Sequence, residues 1–246
     1  MMILWRWFLS LVFVLQNALM MLILGIVFLP YAVISPRGAR KACRTYAGWV
    51  IWTARWMLGL KSELRGQVPT EEVMVAAKHQ SFFDIIILFY HLPAAKFIMK
   101  RELLWTPIIG LYAYRLGCVP VNRGKRGKAI KQMIADVESG RAEPGQLVIY
   151  SQGTRVKPGE TKPYKVGTYA LYSQLGQPCV PAATNAGLFW PKGTILRKPG
   201  LAVVEFLPVI EPGAGQADFM QRLEDEIETR SNALMAEAGF KMDDLR

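Results

Sequence analysis

Residues Val73 to Leu88, VMVAAKHQSFFDIIIL, set the strongest limit on what this chain can fold into. The run Val73 to Ala77 is short, apolar and rich in small and β-branched residues, as a strand buried on both faces would be. It stops at Lys78-His79-Gln80-Ser81, and a second apolar run, Phe82 to Leu88, opens a helix. Strand, polar turn and helix start, in that order, describe the carboxyl end of a strand in an α/β sheet, where such folds place chemistry. Helix neighbours meet at spacings of three or four. His79 and Asp84, five apart, therefore meet only if the histidine sits in the turn and the aspartate in the helix. A carboxylate holding one imidazole nitrogen would then leave the other free as a general base. Ser81 at this junction is read as a helix cap.

Four short apolar segments have strand character: Val73–Ala77, Leu147–Tyr150, Cys179–Ala183 and Leu201–Leu207. Helical stretches are expected over Phe82–Tyr90, Lys125–Ser139 and Val166–Leu175. A closing amphipathic helix over Asp218–Ala238 carries Phe219, Leu223, Ile227 and Leu234 on one stripe. This alternation predicts an α/β sandwich.

The N-terminal part differs. Trp7 to Pro36 contains no charged residue and is long enough for a helix to cross a bilayer. Arg37, Arg40, Lys41 and Arg44 follow it directly, which places that end on the cytoplasmic side of the membrane. Ala42 to Leu60 then carries Trp49, Trp52 and Trp56 at helical spacing, with Arg44 and Arg55 on another flank. An interfacial helix is favoured over a core helix for this segment. The expected organisation is a membrane-anchoring helical hairpin over 1–60 and a catalytic body over 61–246.

The chain carries a formal charge of +11, yet Gln216 to Arg246 holds eight acidic and four basic residues, so the positive excess lies elsewhere. Such a body suits an anionic membrane surface or a phosphorylated substrate. No nucleic-acid motif accompanies the charge. Three cysteines without paired spacing and two histidines offer no metal cluster, and the thiols are expected to be free.

Two further strand ends carry arginine. Gly117 to Arg123 is an apolar strand ending in Arg123, followed by Gly124 and a basic helix start. Leu147 to Tyr150 runs into Ser151-Gln152-Gly153-Thr154-Arg155. Guanidinium forks and backbone N–H groups both bind phosphate well. Two arginine-bearing strand ends beside a His–Asp strand end could face one cleft.

These residues resemble the glycerolipid acyltransferase family, in its branch that acylates lysophosphatidate. Four ordered blocks carry the resemblance: His79 to Asp84, Gly117 to Arg123, Ser151 to Arg155, and Val180-Pro181. It covers roughly Lys61 to Pro208, with an N-terminal membrane hairpin also expected. One departure matters. The third block is usually Pro-Glu-Gly-Thr-Arg, and Ser151 and Gln152 replace its first two residues here.

The resemblance implies a mixed sheet flanked by helices and transfer of an acyl group from acyl-CoA or acyl carrier protein to the 2-hydroxyl of 1-acyl-glycerol-3-phosphate. No cofactor or metal is implied. His79 and Asp84 would be catalytic. Arg123 and Arg155 would hold the phosphate, with Lys100 or Arg101 matching a further basic position. Gln152, Gly153 and Thr154 would position the acceptor. Membrane lipids are the expected surroundings and nucleic acid is not an expected partner. Two alternatives stay open: another lyso-lipid acceptor, such as lyso-ornithine lipid, or a catalytically silent lipid-binding protein.

Overall fold

The computed structural model describes residues 2–121, 135 and 144–241. Arg123 lies outside these, as does the helix expected over 125–139 apart from residue 135.

Among the described residues the body is built on a seven-stranded sheet. Its strands are β1 (Leu60–Arg65), β2 (Met74–Ala77), β3 (Lys96–Lys100), β4 (Val119–Val121), β5 (Leu147–Tyr150), β6 (Cys179–Thr184) and β7 (Gly200–Phe206). The spatial order is β1-β7-β6-β2-β5-β3-β4. Every pairing is parallel except β6 with β7. The three central strands are buried along their whole length, which explains their unbroken apolar character. In register, Ala77 sits beside Tyr150 on one side and Ala182 on the other. The carboxyl ends of β2, β5 and β6 therefore share one edge, and β3 ends along the same edge.

Helices cover both faces. On one side α3 (Pro36–Leu58) and α4 (Phe83–His91) pack over Val75, Ala77, Val148 and Val180. On the other, α6 (Gly167–Leu175) and α7 (Gln216–Glu237) pack over Met74, Ala76 and Ile149. The alternation of partners along β2 is what a strand with helices on each face requires.

The first helix, α1 (Met2–Val27), is followed by the short α2 (Leu29–Ile34). Its stretch Ile3–Val27 is long and apolar enough to cross a membrane. One stripe of α1 is tied to the body along most of its length. Phe13 is fully buried against Trp190, and Gln16 Oε1 accepts from Trp49 Nε1 at 2.6 Å. The carbonyl of Gly25 accepts from the hydroxyl of Tyr112, part of α5 (Ile109–Arg115), at 2.9 Å. Its other side leaves Leu4, Phe8, Leu11, Leu15, Leu22 and Ile26 exposed. An apolar surface of that extent is suited to lipid.

The expectation of an interfacial helix accounts for only one face of α3. Trp52 and Trp56 are exposed and stacked on each other, whereas Ala47, Val50 and Ala54 enter the same core as β2 and β5. Small residues on that side let the helix approach α4 and β1 closely. The left-handed Gly59 (φ +65°) ends the helix and turns the chain straight into β1.

Candidate active site

The turn after β2 is fixed by its own polar residues. Ser81 Oγ accepts from the Phe83 N–H at 3.0 Å and donates to the Trp190 carbonyl at 2.7 Å. Its hydroxyl is fully used in starting α4 and anchoring the turn beyond β6. Asp84, one residue inside the helix, turns back so that Oδ2 accepts from the backbone N–H groups of Gln80 and Ser81 at 2.9 and 2.8 Å. These donors satisfy one oxygen of a buried carboxylate, 1% exposed, at a helix start.

The other oxygen serves the histidine. His79 Nδ1 lies 3.0 Å from Asp84 Oδ1. An ionised carboxylate only accepts, so a proton closing this contact belongs to Nδ1, and in the neutral imidazole Nε2 then keeps its lone pair. Tyr150, the last residue of β5, donates its hydroxyl to the same Oδ1 at 3.1 Å. Its ring lies nearly parallel to the imidazole, with centroids 3.9 Å apart. Burial, then the adjacent Asp84 charge and hydrogen bond, push the Tyr150 hydroxyl well above its ordinary pKa. It stays a donor throughout the working range.

The turn after β5 brings the third block to the same place. Gly153 adopts φ +70°, and its N–H donates to the Tyr150 carbonyl at 2.8 Å. A Cβ there would meet only Lys165 Cγ, at 3.8 Å, so the glycine is required by backbone conformation rather than by space. Three residues on, the Val156 N–H donates to the His79 carbonyl at 2.8 Å. Arg155, half-buried, is thereby joined to the histidine turn. An oriented imidazole in a turn bonded to a loop that carries an arginine is an arrangement able to take a proton from a bound hydroxyl.

A profile of the acyltransferase family matches residues 60–185. This chain belongs to that family. A 1-acyl-sn-glycerol-3-phosphate acyltransferase of Pseudomonas aeruginosa is 26% identical over 200 residues, covering 80% of this chain and 78% of the relative. The mouse 1-acyl-sn-glycerol-3-phosphate acyltransferase alpha is 26% identical over 211 residues, covering 83% and 74%. The fold matches the crystal structure of the 1-acyl-sn-glycerophosphate (LPA) acyltransferase of Thermotoga maritima. The TM-score is 0.80 at 19% identity, over 96% of this chain and 98% of that one.

The remaining candidate residues of this acyltransferase are placed unevenly. Lys100 and Arg101 are exposed at the end of β3, on the site's edge of the sheet. Arg123, two residues past β4, falls outside the described residues. Thr154 is half-buried between the glycine and Arg155.

Gln152 is turned away from solvent into a buried network that sequence reasoning missed. Its Nε2 donates to Glu228 Oε1 at 3.3 Å and to the Lys162 carbonyl at 3.2 Å. Two acceptors face that end of the amide, so the orientation is fixed by chemistry. Its Oε1 is buried and has no hydrogen-bond partner among the described residues. Glu228, from α7, also accepts from the Tyr164 hydroxyl at 3.0 Å and pairs with Lys78, which is 2% exposed and directly precedes His79. Burial and the charge of Glu228 raise the Tyr164 hydroxyl far above its usual range. Here a glutamine donates where a glutamate would repel, and the negative charge of this region comes from the last helix.

The turn beyond β6 was also missed. Gly187 N–H donates to Gln80 Oε1 at 3.2 Å, and a Cβ on Gly187 would lie 2.8 Å from Gln80 Cβ. Trp190 packs on Phe83 and Phe82 at 5.4 and 6.0 Å between centroids. The Asn185-Ala-Gly187 turn signal after a buried strand was present in the sequence.

Proposed function

We propose that this enzyme transfers an acyl group from a thioester donor, acyl-CoA or acyl carrier protein, to the 2-hydroxyl of 1-acyl-glycerol-3-phosphate, giving phosphatidate. The observation that carries the reading is the His79 Nδ1–Asp84 Oδ1 contact of 3.0 Å in a turn tied to Arg155. The named activity of the P. aeruginosa and mouse relatives supports the acceptor.

In this mechanism His79 Nε2 takes the proton of the 2-hydroxyl as that oxygen attacks the thioester carbonyl. The tetrahedral intermediate collapses with loss of the thiolate, which takes the proton back from the imidazolium. Asp84 holds the ring and stabilises the imidazolium. Arg155, with Arg123 and with Lys100 or Arg101, holds the phosphate, and Gly153 and Thr154 shape the turn against which the glycerol lies. The reaction consumes two substrates and calls for no cofactor. The outer face of α1, with Trp52 and Trp56, would rest in the inner membrane, while Arg37, Arg40, Lys41 and Arg44 keep the site on its cytoplasmic face. In this scheme residues 1–60 anchor and 61–246 catalyse, α3 being shared between lipid and core.

The test is acyl transfer to lysophosphatidate in detergent micelles, with each donor in turn, for the wild type and His79→Ala. Transfer by the wild type that falls by about 10²–10⁴-fold in the variant is expected for loss of a general base. Absence of transfer by folded wild type with both donors would overturn the reading.

A further inference from the structure

One face of α3 is cationic and concave. Arg37, Arg40, Lys41, Arg44, Thr45 and Gly48 fall at i, i+3, i+4, i+7, i+8 and i+11, the spacing of a single helix face. Together with Tyr90 they line one cleft of about 520 Å³. Four of these lining residues are cations, and among the described residues no Asp or Glu lines the cleft. The neighbouring chain supplies none either, since residues 1–62 contain no acidic residue.

Packing of α3 on its neighbours gives the cleft its shape. Gly48 borders the Tyr90 ring, where a Cβ would lie 3.1 Å from Cε2. Arg44 Nε donates to the Tyr90 carbonyl at 3.1 Å, which ties the cationic stripe to the end of α4. On the other side the stripe adjoins α2, because a Cβ on Gly38 would overlap the Tyr31 carbonyl. Helix α2 leaves Leu29, Tyr31, Val33 and Ile34 exposed, and Arg37, Lys41 and Arg44 are exposed beside them. An exposed apolar helix against a cationic cleft has the make-up of a lipid boundary, with chains along the first and a headgroup in the second. The cleft is separate from the reaction centre. None of the candidate site residues lines it, and Asp84 and Tyr90 stand at opposite ends of α4, roughly 9 Å apart along its axis.

We propose that this cleft seats the headgroup of an anionic phospholipid from the surrounding leaflet, at a site distinct from that of the acceptor. Four cations without a carboxylate match a headgroup of net negative charge. A zwitterionic headgroup brings its own cation and gains far less. The site does not depend on acyl transfer, and its test is a binding measurement without turnover.

The experiment uses the full chain in micelles of an uncharged detergent at physiological salt. Equilibrium binding of dilute phosphatidylglycerol, and of phosphatidylcholine with the same acyl chains, is measured for three proteins. These are the wild type, the cleft pair Arg37→Gln with Lys41→Gln, and the matched pair Arg55→Gln with Lys61→Gln. All four side chains are exposed, so each pair should fold. The matched pair removes the same charge, but Arg55 lies roughly 16 Å along α3 from Arg44, beyond a Debye length of about 8 Å. The wild type should prefer phosphatidylglycerol by about tenfold or more, and the cleft pair should weaken its binding by about 10- to 30-fold. The matched pair should change it by about twofold or less, and phosphatidylcholine binding should not move in any of the three. Equal losses in the two pairs would mean diffuse charge rather than a seat and would overturn the proposal. Equal binding of the two lipids by the wild type would overturn it as well. Displacement of phosphatidylglycerol by an equal concentration of inorganic phosphate would assign the cleft to a free anion instead of a lipid.

Discussion

Tyr150 donates its hydroxyl to Asp84 Oδ1 at 3.1 Å while its ring lies flat on the imidazole that the same oxygen holds. One strand-end residue thus restrains both members of the His–Asp pair. Tyr150→Phe keeps the ring contact and removes only the hydroxyl. Asp84 retains two backbone donors and His79, so the expected effect is modest: kcat lower by about 3- to 10-fold, the scale of one net hydrogen bond. Asp84→Asn removes the charge and loses control of the tautomer, and should lower kcat by about 10²–10⁴-fold. Steady-state kinetics on both variants would test the ranking. Equal losses would show that Asp84 does not act through its charge.

Lys78 and Glu228 are joined across the buried space between β2 and α7, with Lys78 2% and Glu228 16% exposed at the side chain. Removing one partner strands the other. Lys78→Met should cost about 3–5 kcal/mol, and Lys78→Met with Glu228→Gln appreciably less, because the pair is destabilising to break but nearly neutral to replace. Thermal melts of the two single variants and the double variant would read the coupling. Additive losses would mean the pair is not a unit.

Gln152 is expected to be intolerant of the glutamate usual at its position. Gln152→Glu would set a carboxylate against Glu228 Oε1, which the amide now approaches to 3.3 Å. Burial and like charge would raise the pKa of such a carboxyl. The folded state would then bind a proton the unfolded state has released, and the stability deficit would grow as pH rises. The melting difference from wild type should be small near pH 5 and larger near pH 8. Adding Glu228→Gln should close it. A deficit independent of pH would rule out the electrostatic cause.

How much was legible in the sequence follows from burial. β2, β5 and β6 are buried on both faces and have apolar sequences, and the His79–Asp84 spacing signalled a turn-to-helix junction without any contact being known. β1 was not legible, because Leu60–Arg65 is an edge strand with one buried residue and five polar or half-exposed positions. β3 was hidden for a related reason: Lys96 and Lys100 bracket three apolar residues, too few to stand out from a loop. Glu228 was invisible as a site residue. It lies on a helix whose apolar stripe was read correctly, but its partner Lys78 is 150 positions away.

Cys179 offers a test of the sheet's core that does not depend on substrate. It begins β6, is fully buried and is a free thiol. Its N–H donates to the Ile210 carbonyl at 2.9 Å. Burial, with a smaller contribution from the charge of Glu226, pushes the thiol up from 9.0 to about 12. The thiolate is the reactive form, so Cys179 should resist alkylation by iodoacetamide at pH 8 in the folded protein and be modified after unfolding. Between pH 9 and 12 the folded state keeps a proton that the unfolded state loses, so this group's contribution to stability is intact below pH 9 and is lost across that interval. Cys179→Ala should start from a lower melting temperature, because a buried atom is removed, and then decline less steeply above pH 9 than the wild type. Labelling followed by mass measurement, together with paired melts at pH 8 and pH 10.5, would check both parts. Rapid native labelling of Cys179 would show that the β6 end opens far more readily than its packing implies.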